Sequence, residues 1–366
     1  MKIKAIIASE KDNSFTYSDA ELEAPRDDEI LVQIKAVGLC HTDLLARSGL
    51  FQLGIDAVLG HEGAGIVQQV GGKVTKVKAG DRVGISFRSC GDCRKCHSHA
   101  PAYCKNFVPL NIFGRRLDGS RAIKRDDEEI GSHFFGQSSF ATHALTSETN
   151  VVKLPDDIPF EVAAPLGCGV QTGAGTVLNS LSCTAGSSII ITGCGVVGLS
   201  AVMAAKISGC KTIIAIEPVA ARKQLALEVG ATHVVDPLQH QDFEQAIRDV
   251  VPDGVDYAID TTGRRLTLDN LTRCFTTQGT LAMVGMTRAD DDFVCTGMQF
   301  LAAGLTVKGI IEGDSNPDTF IPELIQYYKK GQLPIDKLLT TYPLEDINKA
   351  VDDHHSGACT KAVLIP

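Results

Sequence analysis

The chain runs to 366 residues, enough for two cores, and its 44% hydrophobic and 22% charged content is that of an ordinary soluble globular protein. A net charge of −9, with no basic stretch to offset it, argues against nucleic acid and against an acidic membrane surface as partners. Nothing approaches the roughly 20 apolar residues of a membrane span, and Met1 to Ala8 reads as an alternating strand too short and polar for a signal peptide, so the expected compartment is the cytoplasm.

Residues 1–168 carry short strand patterns, among them 30–37, 65–71 and 81–85, punctuated by Gly-Gly, Gly-Asp and Pro-Asp pairs. This predicts a β-rich domain of barrel type. Three segments within it hold metal-ligating side chains beside glycines: Cys40-His41-Thr42-Asp43, His61-Glu62 and Cys168. Taken singly, each is more often packing or turn chemistry. Together Cys40, His61 and Cys168 offer two sulfurs and one imidazole, the donor set of a catalytic zinc that keeps one position for water or substrate. Their spacing does not by itself bring them together.

Twelve cysteines in a cytoplasmic chain point to metal binding or catalysis rather than disulfides. Cys90, Cys93 and Cys96 stand three positions apart, and Cys104 follows closely. Four thiolates on one tight loop suit a tetrahedral Zn²⁺ with no open position, which staples a loop and does no chemistry. An iron–sulfur cluster would use the same four thiolates. The charged neighbours Asp92, Arg94, Lys95, His97 and His99 give little shelter from solvent, which favours zinc. Cys183, Cys194, Cys210, Cys274, Cys295 and Cys359 sit in apolar surroundings and read as small buried hydrophobes.

From 169 to 310 strands alternate with helices. The run 188–192 is β-branched and suits a strand buried on both faces. It enters Gly193-Cys194-Gly195-Val196-Val197-Gly198, a helix over 199–208 stopped by Gly209, and a second strand over 212–216 ending on Glu217. An ordinary buried βαβ unit with a glycine turn would show part of this pattern. Glu217, nineteen positions after Gly198, favours a dinucleotide site: the first glycine permits the turn, the second admits a pyrophosphate, the third allows close helix packing. A carboxylate at 217 can accept both ribose hydroxyls and repels a 2′-phosphate, so NAD is expected. Arg222 would pair with that phosphate, bond the ribose, or sit on a solvated helix start over 220–230. Further strands are expected over 256–260 and 280–285, and an edge strand over 305–311 that would pair across a two-fold axis into a homodimer or homotetramer. Residues 311–366 add helices over 319–330 and 344–354 and a last strand over 361–365.

Over essentially its full length the sequence resembles the zinc-dependent medium-chain alcohol dehydrogenases, and within them the NAD-dependent benzyl (aryl) alcohol dehydrogenases. The likeness rests on the cysteine loop, the nucleotide turn and residues 38–43, 134–141, 165–169 and 171–175. It implies an α/β protein: a GroES-like barrel domain over 1–168, a Rossmann doubly wound parallel sheet over 169–310, and a return to the first domain over 311–366. It implies two Zn²⁺ per chain, a catalytic ion on Cys40, His61 and Cys168 and a structural one on Cys90, Cys93, Cys96 and Cys104. Glu62 is similar to an acid beside the catalytic metal, Asp43 to the carboxylate orienting the imidazole, and Thr42 to the hydroxyl that takes the alcohol proton. His41 and Lys361 match groups placed against the pyrophosphate, and Thr172 and Val197 match nicotinamide contacts. Many members end the proton relay on a histidine three residues past the hydroxyl. Here that position is Leu45, leaving His41 or solvent to serve.

The implied reaction is reversible oxidation of a small-molecule primary alcohol to its aldehyde, with hydride transfer to NAD. Phe134, as the resemblance implies, with Phe135, Phe87 and Leu110, would wall an apolar pocket for benzyl-type alcohols first, terpenoid or cinnamyl alcohols next and short aliphatic ones last. Some of these phenylalanines would equally serve as plain core. A glutathione-linked formaldehyde dehydrogenase would need an anion pocket that the sequence does not reveal. A zinc-free quinone reductase would not need Cys40, His61 and Cys168. A non-catalytic NAD-binding regulatory protein would bind cofactor without turnover.

Overall fold

A computed structural model of the chain describes residues 1–9, 11–240, 242–287 and 297–366, the side chain of Gln299 apart. Cys295 lies outside the described residues. Two compact units are present: Met1–Cys168 with Asn316–Gln326 and Ile335–Pro366, and Gly169–Ser315 with Tyr327–Pro334. Among the described residues no helix is long and apolar enough to cross a membrane.

The first unit holds two sheets over one apolar core. Strand Lys2–Ser9 pairs antiparallel with Ser14–Leu22, and short strands extend both sides. The other sheet is built on Glu29–Gly38, whose residues are buried at eight of ten positions, as expected of a strand covered on both faces. Strand Gly63–Val70 runs antiparallel to it, with Val37 opposite Gly63, and strand Lys361–Ile365 flanks its far end, with Val363 opposite Gly38. Backbone bonds from Gly38 N–H to Glu62 O (3.0 Å) and from Leu39 N–H to Ala362 O (2.9 Å) continue that pairing. Chain segments far apart in sequence, around Cys40, His61 and Lys361, therefore meet at one end of this sheet.

The second unit is a six-stranded parallel sheet in the spatial order His233–Val235, Thr212–Ile216, Ser188–Thr192, Val255–Asp260, Phe275–Met283, Thr306–Gly309. The order reverses between Ser188–Thr192 and Val255–Asp260, the switch point at which such sheets take their ligands. All five residues of Ser188–Thr192 are buried, which explains its uninterrupted apolar run.

The boundaries differ from expectation where local chemistry decides. The helix after the glycine turn begins at Val196 rather than 199, because Gly195 already occupies the extended cap position. The helix expected over 344–354 opens as a tight turn at Leu344–Asp346, becomes regular over Ile347–Ser356, and stops at Gly357 with φ 81°. The edge strand is shorter than 305–311, covering Thr306–Gly309.

Candidate active site

Cys40 sits immediately before helix His41–Arg47, in extended backbone. Asp43, one turn into that helix and fully buried, ties the site together. Its Oδ2 accepts the Cys40 N–H (3.0 Å), and its Oδ1 accepts the Gly60 N–H (3.1 Å) and lies 2.8 Å from His61 Nδ1. Cys168 follows the short helical turn Ala164–Gly167, which Ser86 anchors by donating its hydroxyl to Gly167 O (2.7 Å). The candidate ligand atoms of Cys40, His61, Glu62 and Cys168 all lie within 4.8 Å of one another. The structure thus brings the three sequence-predicted ligands together.

These residues fit a zinc ion. His61 spends Nδ1 on Asp43, while its buried Nε2 makes no hydrogen bond. A buried ring nitrogen without a hydrogen bond is costly unless something else takes its lone pair. Two sulfurs and that nitrogen form the donor set of an open zinc site, and a carboxylate on the far ring nitrogen is the usual arrangement around a ligating histidine. The electrostatics agree. A hydrogen bond from the Cys168 thiol, reinforced by the Lys361 ammonium, holds the Cys40 thiol well below its ordinary pKa despite burial.

Glu62 Oε2 lies 2.5 Å from Lys361 Nζ, and both are buried. Burial raises the Glu62 pKa although the Lys361 ammonium opposes it. Lys361 also donates to Leu39 O (2.8 Å) and is 1% exposed, so its charge is directed inward at Glu62. Thr42 is half-buried with Oγ1 3.7 Å from Cys40 Sγ, His41 is exposed at the start of the helix, and Leu45 is half-buried further along it.

Cys90, Cys93, Cys96 and Cys104 form a second cluster, again with sulfurs within 4.8 Å of one another. Cys104 Sγ accepts the N–H groups of Cys90 (3.3 Å) and Asn106 (3.4 Å). Backbone N–H groups of Lys105 and Cys96 lower the Cys93 thiol to about 6, while burial pushes Cys104 up to about 12. Four sulfurs with backbone donors around them suit a closed tetrahedral zinc. Cys93, Cys104 and Leu110 make a small core of their own.

In the second unit Gly193 has φ 82°, and a side chain there would meet Thr261 Oγ1 at 2.6 Å. A side chain at Gly198 would run into Gly193 O at 1.8 Å, whereas Gly195 faces open space. Glu217, 3% exposed, accepts the Cys194 N–H (2.6 Å) on one oxygen and the Val219 N–H (2.9 Å) on the other. It pins the turn to the end of the second strand. Arg222 lies in the first turn of helix Ala220–Val229, near enough to Cys194 to act on its thiol. Val197 is in the first turn of helix Val196–Ile207, and its carbonyl closely approaches Gly173 on helix Gly169–Gly175. Thr172, on that same helix, has Oγ1 3.4 Å from Glu312 Oε2.

Phe87 and Phe134 are fully buried members of the main core, and Leu110 belongs to the cysteine lobe. Sequence reasoning missed how tightly the aromatics enclose His61. Phe135 stacks on it with centroids 4.5 Å apart, and Phe134 meets it edge-on at 5.7 Å. The backbone bends sharply to allow this, since His133, Phe135 and Ser138 all have positive φ. It also missed Gln137, which donates to His61 O (2.8 Å) and Ser86 O (3.1 Å) and accepts the Gly63 N–H (3.0 Å). The run Phe134-Phe135-Gly136-Gln137 carried that signal, but only as a resemblance.

Comparison with known proteins agrees with this geometry. Residues 26–156 match the family described as the alcohol dehydrogenase GroES-like domain, and residues 196–329 match the zinc-binding dehydrogenase family. The chain is 42% identical over 345 residues to a geraniol dehydrogenase of Castellaniella defragrans, spanning 94% of this chain and 92% of that protein. A zinc-binding-domain alcohol dehydrogenase from Burkholderia ambifaria superposes with a TM-score of 0.97 at 43% identity, covering 100% of this chain and 99% of the other. Benzyl alcohol dehydrogenase from Acinetobacter calcoaceticus gives 0.96 at 38% identity, with the same coverage.

Proposed function

The chain belongs to the zinc-dependent medium-chain alcohol dehydrogenases, a Rossmann unit with a GroES-like unit, and we propose that it oxidises primary aryl or allylic alcohols of the benzyl type reversibly to aldehydes, with NAD as hydride acceptor. The observation that carries this reading is the buried His61, whose Nδ1 is held by Asp43 while Nε2, unbonded, lies among the Cys40 and Cys168 sulfurs. Two zinc ions per chain are proposed, one on Cys40, His61 and Cys168 and one on Cys90, Cys93, Cys96 and Cys104.

Zinc, when bound, is a Lewis acid that lowers the pKa of a substrate alcohol, and NAD supplies the hydride acceptor. The protein's residues do the rest. Asp43 accepts the Nδ1 proton of His61 and so keeps Nε2 unprotonated for the metal. Thr42 takes the alcohol proton, and His41 or solvent receives it next, since Leu45 cannot. Lys361 holds the Glu62 carboxylate in place. Glu217 keeps its remaining lone pairs for the ribose hydroxyls and repels a 2′-phosphate.

The substrate class is supported by the aromatic rings around His61 and by relatives named for benzyl alcohol and geraniol. Geraniol is the second reading, favoured by the 42% identity of that relative. A panel of benzyl alcohol, cinnamyl alcohol, geraniol, ethanol and S-hydroxymethylglutathione, each scored by kcat/KM with NAD and NADP, decides between them. Highest values for benzyl and allylic alcohols with NAD are expected. Preference for ethanol or the glutathione adduct overturns the substrate class, and cofactor affinity without turnover overturns the enzyme reading. We also propose a homo-oligomer paired through the edge strand Thr306–Gly309, which light scattering measures directly.

A further inference from the structure

Of the six cysteines outside the two metal clusters, five fall among the described residues, and they divide into two kinds. Cys194, Cys274 and Cys359 are sealed, at 0%, 0% and 1% exposure, while Cys183 and Cys210 each reach the surface at 9%. The last two come from separate loops that the backbone ties side by side. Gly186 N–H donates to Gly209 O (2.8 Å) and Lys211 N–H donates to Ser187 O (2.8 Å), so the loop before strand Ser188–Thr192 lies against the loop before strand Thr212–Ile216. Ser187 Oγ is 3.4 Å from Cys210 Sγ. These loops enter the sheet at the end opposite the glycine turn, so the pair lies away from the proposed nucleotide site.

The same Ser187 hydroxyl donates to Thr184 O (2.7 Å), so the backbone next to Cys183 and the Cys210 sulfur are gathered on one side chain, and the two thiols lie near enough to influence each other. A hydrogen bond from Cys183, seconded by the Ser187 hydroxyl, lowers the Cys210 thiol to about 7 against the opposing effect of burial, while Cys183 is pushed up, first by Cys210 and then by burial. One sulfur thus tends to the thiolate while its neighbour keeps its proton, the arrangement of an attacking thiol beside a resolving one.

We propose that Cys210 and Cys183 form an oxidisable dithiol, a modification site in the second unit that a small peroxide converts into a reversible disulfide. The chemistry closes. The Cys210 thiolate attacks one peroxide oxygen, the O–O bond breaks, and the departing hydroxide takes up the proton the thiol had lost, giving one water and a sulfenic acid. The Cys183 sulfur then attacks the Cys210 sulfur, the S–O bond breaks, and the leaving hydroxide takes the Cys183 proton as a second water. Two thiols lose two electrons and two protons, and the peroxide is reduced to two waters. A dithiol reductant reverses the link. The alternative is that the two side chains merely fill space, in which case peroxide leaves them as they are.

The test uses the full-length, zinc-loaded protein and hydrogen peroxide at doses that release no zinc to a chromogenic chelator. Excess iodoacetamide stops the reaction, trypsin liberates Cys210 in the peptide 207–211 and Cys183 in 154–206, chymotrypsin then separates Cys183 from Cys168, and fragmentation of the resulting 182–199 peptide in the mass spectrometer assigns the link to Cys183 or Cys194. The expected result is a ~tenfold or greater loss of alkylated 207–211, its appearance in a disulfide with the Cys183 fragment, and recovery on reduction. In Cys183→Ser the link vanishes and Cys210 is captured as a sulfenic acid by dimedone. Undiminished alkylation of 207–211, or a link from Cys210 to any other cysteine, overturns the proposal. Wild-type mapping decides the question even if the variant fails to fold.

Discussion

The two cysteine clusters of the first unit use similar donors and are built in opposite ways. The Cys90–Cys104 loop makes its cluster locally: its sulfurs lie within fifteen residues, accept backbone N–H groups from the same loop, and rest on a small private core. The cluster of Cys40, His61 and Cys168 draws on three distant segments, and its polar partners come from outside it: Asp43 on a helix and Lys361 on the last strand, paired with Glu62. Four thiolates would close every position of a zinc ion and hold a loop, whereas two sulfurs and an imidazole would leave one coordination position for chemistry. The support around a centre, more than its ligands, separates a staple from a reaction site.

Removing one ligand from each centre is the strongest way to break this contrast. His61→Ala should lower kcat/KM by ~10³-fold or more, since the Lewis acid's several kcal/mol are lost, and should reduce the metal count to the lobe's ion with the lobe intact. Cys104→Ser should instead release the lobe's ion and expose the segment around it to proteolysis, with turnover falling far less in whatever protein stays folded. Equal losses of activity in the two variants would mean that the lobe takes part in the reaction. Asp43→Asn sharpens the comparison by keeping every ligand. It should cost ~10–100-fold in metal affinity or kcat/KM, while Asp92→Asn, within the cysteine loop but exposed and 3.8 Å from His97, should change stability by under ~0.5 kcal/mol.

How much of this could be read from the sequence follows the same division. The Cys90–Cys104 cluster was legible because its information is local, in the spacing of one short loop. The strand, turn, helix and strand from Ser188 to Ile216 were legible for the same reason, each period and each glycine being a short-range signal. Cys40, His61 and Cys168 were individually weak, since only the pairing of Glu29–Gly38 with Gly63–Val70 and Lys361–Ile365 brings Cys40, His61 and Lys361 together, and pairing is a long-range property. For Lys361 the sequence offered only a resemblance to a phosphate-facing group, and its inward contact with Glu62 has no local signature. The ring of Phe135 on His61 depends on left-handed backbone at a non-glycine residue, which no propensity would place there. The Cys183–Cys210 pair was invisible because its two loops are neighbours only once the parallel strands align.

A charged cluster of the same unit that touches neither metal centre gives the comparison its control. Glu29 pairs with Arg116 (2.6 Å) and lies 3.3 Å from His133, all three buried. Burial opposes the Glu29 charge, but His133 and Arg116 more than offset it and hold the carboxyl far below its usual range. Burial keeps the His133 pKa below its ordinary value, although Glu29 pulls the other way. Both depressed values give the same sign: the unfolded chain binds protons that the folded one refuses, so stability falls as pH falls. The His133 share is present above pH ~6.5 and begins to be lost below it, and the Glu29 share begins to be lost only below ~4.5. The unfolding free energy of the zinc-loaded protein, measured by urea titration, should therefore drop between pH 7 and 5.5, by an amount approaching but not exceeding ~1.4 kcal/mol per pH unit from this one histidine. His133→Gln, which keeps a donor for Glu29, should flatten that step and leave the metal count unchanged. An unaltered pH slope in the variant would assign the acid response to other groups, either His143, which burial also holds below its ordinary value, or the metal centres, where protons compete for the ligand sulfurs and for His61, and would remove the cluster as an independent support.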